Sequence, residues 1–186
     1  EAVRAHSPET TLIVDSMSGF GAYEVDMRRD NISFLVSSAN KNLEGVPGFA
    51  FAVCDRGRLM EQGGAARSLC LDLKAQWQAL RGNGQFRFTP PTHALVAFRQ
   101  ALVEHAAEGG VSGRRRRYEA NAAVIHRGLA ALGFVPYLPA ELQSCIITSY
   151  VCPDDPNFDF HTFYEDLAAR GLLIYPGKLT DVECFR

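Results

Sequence analysis

Short apolar runs alternate with polar turns through the first half of the chain. TTLIVD (10–15) is a β-branched run ending in a carboxylate, and ISFLVSS (32–38) repeats the pattern. Both predict buried strands. GFAFAVCD (48–55) follows a Pro-Gly pair and predicts a third. DRGRLMEQGGAAR (55–67) reads as a polar connection. Leu73, Trp77 and Leu80 then recur at helical spacing in RSLCLDLKAQWQALRG (67–82). FTPPTHALVAFRQALVEHAAEGG (88–110) predicts a helix with both ends marked. Thr89 or Thr92 is the expected cap, prolines fall in the first turn, and Gly109-Gly110 stops it.

VSGRRRRYEANAAVIHRGLAALG (111–133) predicts a second long helix, closed by Gly133. CIITSYVC (145–152) predicts a strand and FHTFYEDLAARG (160–171) an amphipathic helix. LLIYPG (172–177) predicts another strand, and ECFR (183–186) the start of one more. Strands joined by polar turns, followed by helix, strand, helix, strand, predict part of an α/β sheet domain and then part of a smaller α+β domain. The expected division is 1–110 and 111–186. Only a helical stub precedes TTLIVD, and the last run is cut at Arg186. The chain is therefore expected to be a fragment of a longer protein.

Composition narrows the partners more than the chemistry. Apolar residues make up 47% and charged residues 22% of the 186, and the formal net charge is -2. That balance favours neither nucleic acid nor an anionic membrane surface. No apolar run is long enough to span a bilayer. The first residues lack the pattern of a signal peptide, so a cytoplasmic enzyme is the expectation. The five cysteines are widely spaced with no CxxC, which predicts reduced, mostly buried thiols rather than a disulfide framework or a zinc site. Arg114 to Arg117 surround the start of a helix on all sides, which predicts a solvated face with some ion pairs. His93, His105, His126 and His161 show no metal-ligand spacing.

Two residues at strand ends carry the chemistry. Ligands of open α/β sheets bind beyond the carboxyl ends of strands. Asp15 ends one predicted strand, and Lys41 lies just past the next, in SSANKNLEGVPGFAF (37–51). A lysine amine buried among Ser37, Ser38, Ala39 and Asn40 would be partly desolvated, which favours the neutral nucleophile. Such lysines form Schiff bases with carbonyl compounds, pyridoxal 5'-phosphate (PLP) among them. A carboxylate beside it could pair with the protonated pyridine nitrogen of that cofactor. The other two lysines, Lys74 and Lys178, fall on a polar helix face and after a turn. Asp15 alone could equally close its strand through an Asx turn, and Thr89 could simply cap its helix.

LIVDSMSGFGAYEVDM (12–27) resembles the segment of fold-type I PLP-dependent aminotransferases that supplies the pyridine-nitrogen carboxylate. SSANKNLEGVPGFAF resembles the Schiff-base lysine segment of their class V group. RSLCLDLKAQWQAL, RFTPPTH, LLIYPGK and DVECFR follow in the order of the branch that moves an amino group from 2-aminoethylphosphonate to pyruvate. The resemblance runs over essentially the whole chain. It implies that Lys41 holds the cofactor and shuttles a proton, and that Asp15 binds the pyridine nitrogen. It implies that Thr89 binds the cofactor phosphate of a neighbouring subunit in a homodimer, where a helix N-terminus suits an anion. Arg186 would clamp the acidic group of the substrate through a planar guanidinium. Gly19 departs from related enzymes, which often carry a serine there. The phosphate-cradling loop and the ring-stacking aromatic of the family lie outside this chain. Rival expectations are an alanine/serine–glyoxylate type of aminotransferase, and a non-catalytic dimerising remnant.

Overall fold

A computed structural model describes residues 2–62, 66–179 and 181–186. The chain forms two compact units, Glu1–Arg114 and Arg115–Arg186. In the first, α1 (Ala2–His6) precedes β1 (Ile13–Asp15), β2 (Phe34–Ser38) and β3 (Ala50–Cys54). Helices α2 (Arg56–Gln62), α3 (Leu73–Asn83) and α4 (Thr92–Ala107) follow, and α5 (Gly110–Ala131) starts there.

The three strands lie in sequence order. β1 and β2 are parallel, with Asp15 opposite Val36, and β2 and β3 are antiparallel, with Ser38 opposite Ala50. The described sheet is therefore mixed. Its antiparallel pair follows from the loop 39–49, which returns the chain beside its own strand. Leu35, Ala39 and Leu43 are buried there, with Ala94 and Ala101 of α4. Phe49 and Phe98 meet edge-to-face at 5.3 Å, Phe51 and Phe98 at 5.9 Å, and Phe20 and Phe51 at 5.3 Å. Such ring pairs join β3, α4 and the loop after β1 more firmly than their area alone would.

Local chemistry sets the helix ends. Asp72 caps α3 by accepting from the Ala75 amide at 2.9 Å, and Gly84 closes it at φ 74°. Neither threonine caps α4: Thr92 is its first residue, Thr89 lies outside, and Pro91 occupies the cap with no side-chain bond. The Pro90-Pro91 pair presets the entry instead, leaving the Pro91 carbonyl to accept from Leu95 at 3.0 Å. Helix α2 falls where a polar connection was expected; the end of that stretch, Gly63 to Ala65, lies outside the described residues.

The second unit holds most of α5, a 3-10 turn (Ala140–Leu142), β4 (Tyr150–Val151), α6 (Phe160–Ala169) and β5 (Cys184–Phe185). β4 and β5 pair antiparallel. Of LLIYPG only Pro176 pairs in sheet fashion, with Phe185; it takes a non-hydrogen-bonded position, flanked by the Tyr175–Arg186 bonds and the bond from the Gly177 amide to the Cys184 carbonyl. Tyr150 and Phe185 are buried, and Phe185 packs on Phe134 and Phe163, each at 5.4 Å. Among the described residues no helix is long and apolar enough to cross a membrane.

Candidate active site

Parallel pairing puts the carboxyl ends of β1 and β2 on one side, and both candidate residues are there. Asp15 is the last residue of β1, and Lys41 follows the last residue of β2 by three. Asp15 is exposed, and its Oδ1 accepts from the Met17 amide at 2.9 Å. The Asx turn expected as the plain alternative thus exists. It uses one carboxylate oxygen and is compatible with a ligand on the other. Lys41 is also exposed, which corrects the buried amine expected from its neighbours. Ser37, Ser38 and Ala39 are buried, but the chain then turns outward and carries Asn40 and Lys41 to the surface.

The two strand ends are fastened together by buried polar groups. Ser16 extends the parallel ladder, its amide donating to the Val36 carbonyl at 2.8 Å. The Ser37 hydroxyl donates back to the Ser16 carbonyl at 3.1 Å. Asn42, next to Lys41 and 4% exposed, donates its amide to the carbonyls of Ser18 at 2.8 Å and Phe20 at 3.2 Å. From α4, the buried His105 ring donates through Nε2 to the Gly21 carbonyl at 2.7 Å. Gly21 sits at φ 91°, and a Cβ there would lie 2.8 Å from a Leu43 methyl, so glycine is required on both counts. Behind Lys41, the Glu44 amide donates to the Lys41 carbonyl at 2.8 Å and the Gly45 amide to the Ala39 carbonyl at 2.9 Å.

Arg114 completes this arrangement and was missed in the sequence. Its side chain is 2% exposed, against the solvated face expected for the arginine run. It bonds to Glu108 Oε2 through Nε at 2.7 Å and Nη2 at 2.6 Å, reaches Glu44 Oε1 at 3.3 Å, and donates to the Asn42 carbonyl. Arg115, Arg116 and Arg117 are exposed as expected, Arg115 pairing with Glu119 at 2.7 Å.

Comparison with known proteins decides the family. Residues 2–166 match the profile described as aminotransferase class-V. The chain belongs to the class-V aminotransferase family. It is 51% identical over 176 residues to the 2-aminoethylphosphonate–pyruvate transaminase of Aeromonas hydrophila, covering 94% of this chain and 46% of that protein. It is 50% identical to the enzyme of the same name from Klebsiella pneumoniae, covering 94% and 48%. The chain thus spans about half the length of the curated relatives it matches. Its fold follows an alanine–glyoxylate aminotransferase structure from Nostoc with a TM-score of 0.87 at 18% identity, over 100% of this chain and 50% of that one.

Class-V membership raises the question whether these residues fit PLP. Paired residues share a sheet face and every second residue returns to it, so Asp15, Val36 and Ser38 lie on one face. The Ser38 hydroxyl is buried and has no hydrogen-bond partner among the described residues. A buried orphan hydroxyl wants an acceptor or donor from outside. An exposed amine, a carboxylate with a free oxygen and this hydroxyl, at adjacent strand ends, suit a polar aldehyde ring. The fit holds for this side of the site.

The resemblance also implied roles for Thr89 and Arg186. Thr89 is exposed before α4, on a loop that Arg87 fixes by donating to the Leu69 carbonyl at 2.9 Å. No hydrogen bond or ion pair joins Thr89 to Asp15 or Lys41 among the described residues. Arg186 is exposed, but its backbone is not frayed. It exchanges two hydrogen bonds with Tyr175, at 2.8 and 2.9 Å. At Gly19 a Cβ would sit 3.2 Å from Ser16 Oγ, so a serine there would crowd the loop after β1. None of the five cysteines forms a disulfide. Cys184 alone is buried and Cys70 is exposed, which corrects the expectation of mostly buried thiols.

Proposed function

We propose that the whole protein transfers the amino group of 2-aminoethylphosphonate to pyruvate, with PLP as cofactor, giving phosphonoacetaldehyde and alanine. The observation that carries the reading is the placement of Asp15 and Lys41 at the carboxyl ends of two adjacent parallel strands. The curated relatives at about half identity support the choice of substrates.

PLP, when bound, supplies an electron sink for the carbon that bears the amine. Lys41 would hold the cofactor by its Nζ, and that amine, when free, would serve as the base that moves a proton at the amine-bearing carbon. Asp15 would hold the pyridine nitrogen through the oxygen its turn leaves free. Ser38 offers a hydroxyl on the same face. Thr89 is assigned the phosphate of the cofactor in the neighbouring subunit of a homodimer, and Arg186 the acidic group of the substrate, where a bidentate fork suits phosphonate or carboxylate. Residues 1–110 would then belong to the large PLP-binding domain and 111–186 to the small one. A cytoplasmic location is part of the reading, since cysteines that form no disulfide suit a reducing compartment.

The test is covalent. The whole protein is mixed with PLP, reduced with borohydride and digested, and the modified lysine is mapped by mass spectrometry, with Lys41→Ala as control. Labelling confined to Lys41 is expected. Even labelling of Lys41, Lys74 and Lys178 would sink the assignment. Transamination with 2-aminoethylphosphonate as donor should exceed that with alanine; the reverse result would move the protein to the glyoxylate-type branch.

A further inference from the structure

A guanidinium taken out of water must be fully partnered or it destabilises the fold by several kcal/mol. Arg114 meets that condition in an informative way. Two of its three acceptors, the Asn42 carbonyl and the Glu44 carboxylate, belong to the turn that immediately follows Lys41. The third, Glu108, closes the end of α4 and receives two of the five donors. Glu44 stands in the left-handed region at φ 56°, an uncommon state for a residue with a side chain. Such a conformation persists only where its surroundings hold it.

We infer that Arg114 is a positioning residue for Lys41, an assignment that rests on the reading of Lys41 given above. Its guanidinium grips the turn at two points, one main chain and one side chain. Between them the Glu44 amide closes on the Lys41 carbonyl. Asn42, gripped at its carbonyl by Arg114, reaches with its amide to Ser18 and Phe20 beyond Asp15. One buried cation therefore fixes where the Lys41 backbone leaves the sheet and ties it to the Asp15 loop. Among the described residues no hydrogen bond or ion pair joins Arg114 to Lys41 Nζ or to the Asp15 carboxylate, so it acts on the chemistry through geometry. Lysine is a poor replacement, because a point charge cannot span two carboxylates and a carbonyl as a planar fork does.

The experiment compares wild type, Arg114→Met, Arg114→Lys and Glu44→Gln in the whole protein by amide hydrogen exchange, with kcat and KM beside it. In Arg114→Met, exchange at Glu44 and Gly45 should rise on the order of 10- to 100-fold while Leu35 and Val36 stay protected. The kcat should fall over a similar range with KM little changed, and Arg114→Lys should recover only part of either. Glu44→Gln keeps an acceptor oxygen but removes the charge that faces Arg114, and should fold in any case; it should raise exchange at the same two amides by roughly 3- to 10-fold. Unchanged exchange at Glu44 and Gly45, or a rise shared equally with Leu35 and Val36, would overturn the inference. Borohydride labelling of wild type is read separately. If Lys41 is not labelled, the transaminase reading fails, while the exchange data still decide whether Arg114 holds the turn.

Discussion

The side-chain amide of Asn42 lies 2.8 Å from the carbonyl of Ser18, so the residue after Lys41 is bonded to the loop that leaves Asp15. The same amide serves Phe20 at 3.2 Å. Asn42→Ala would strand both carbonyls. Two part-buried bonds at about 0.5–1 kcal/mol each predict a loss of about 1–2 kcal/mol. Urea unfolding with an unchanged slope checks it. Asn42→Asp should be worse, since it turns a carboxylate oxygen toward two carbonyl oxygens.

Asp15 separates its two roles by substitution. Asp15→Asn retains the side-chain oxygen that accepts from the Met17 amide, so the unfolding midpoint should hardly move. It removes the charge assigned to the pyridine nitrogen. A charged hydrogen bond is worth about 1.5–3 kcal/mol, so kcat should fall about 10- to 100-fold. Full activity in a stable Asp15→Asn protein would reduce Asp15 to its turn.

Glycine substitutions should divide sharply by place. A Cβ at Gly45 would stand 2.7 Å from the Ala39 carbonyl oxygen, a backbone atom that cannot swing away. Gly45→Ala should destabilise by about 1–3 kcal/mol and loosen the Lys41 turn. Gly128, inside α5, has nothing within 4 Å of a Cβ. Gly128→Ala should stabilise by about 0.5–1 kcal/mol. Thermal unfolding of the pair tests both signs.

The start of α6 should respond to acid. Hydrogen bonds from the Thr162 amide and hydroxyl, both 2.7 Å, hold the Asp159 carboxyl below its ordinary value. A folded pKa below the unfolded one stabilises above the unfolded value, about 3.9, and that contribution is lost as pH falls through the folded value. Exchange at the Thr162 amide should therefore be slow at pH 5 and quicken below pH 4, after correction for intrinsic rates. Asp159→Asn should flatten the change.

Thiol reactivity gives an independent check of the fold. Burial pushes the Cys54 and Cys152 thiols up, the latter with help from Glu183 and Cys184. Fewer thiolates mean slower alkylation. Iodoacetamide at pH 8 should modify exposed Cys70 first, with Cys54 and Cys152 trailing; mass spectrometry over time resolves the order. Cys54 reacting as fast as Cys70 would contradict the placement of β3.

The elements that were legible in the sequence owe their form to nearby residues. The runs ending in Asp15 and Ser38 contain strands because β-branched and apolar residues are concentrated there, and Gly109-Gly110 stops α4 because its φ values are positive. What failed depended on distant partners. Lys41 was expected inside because it follows an apolar run and small residues, yet the turn closed by Glu44 and Gly45 throws it outward. Arg114 was expected outside because charge runs usually are. Its burial is set by Asn42, 72 residues away, and no local period records that. Proline took the cap of α4 from the threonines, and LLIYPG finds a sheet partner only at Pro176.

Four identical letters, Arg114 to Arg117, are thus not four equivalent positions. Natural variation should treat them differently. Among descendants of a common ancestor, the last three can drift to lysine or glutamine with little penalty, while the first can change only if Glu44 and Glu108 change with it.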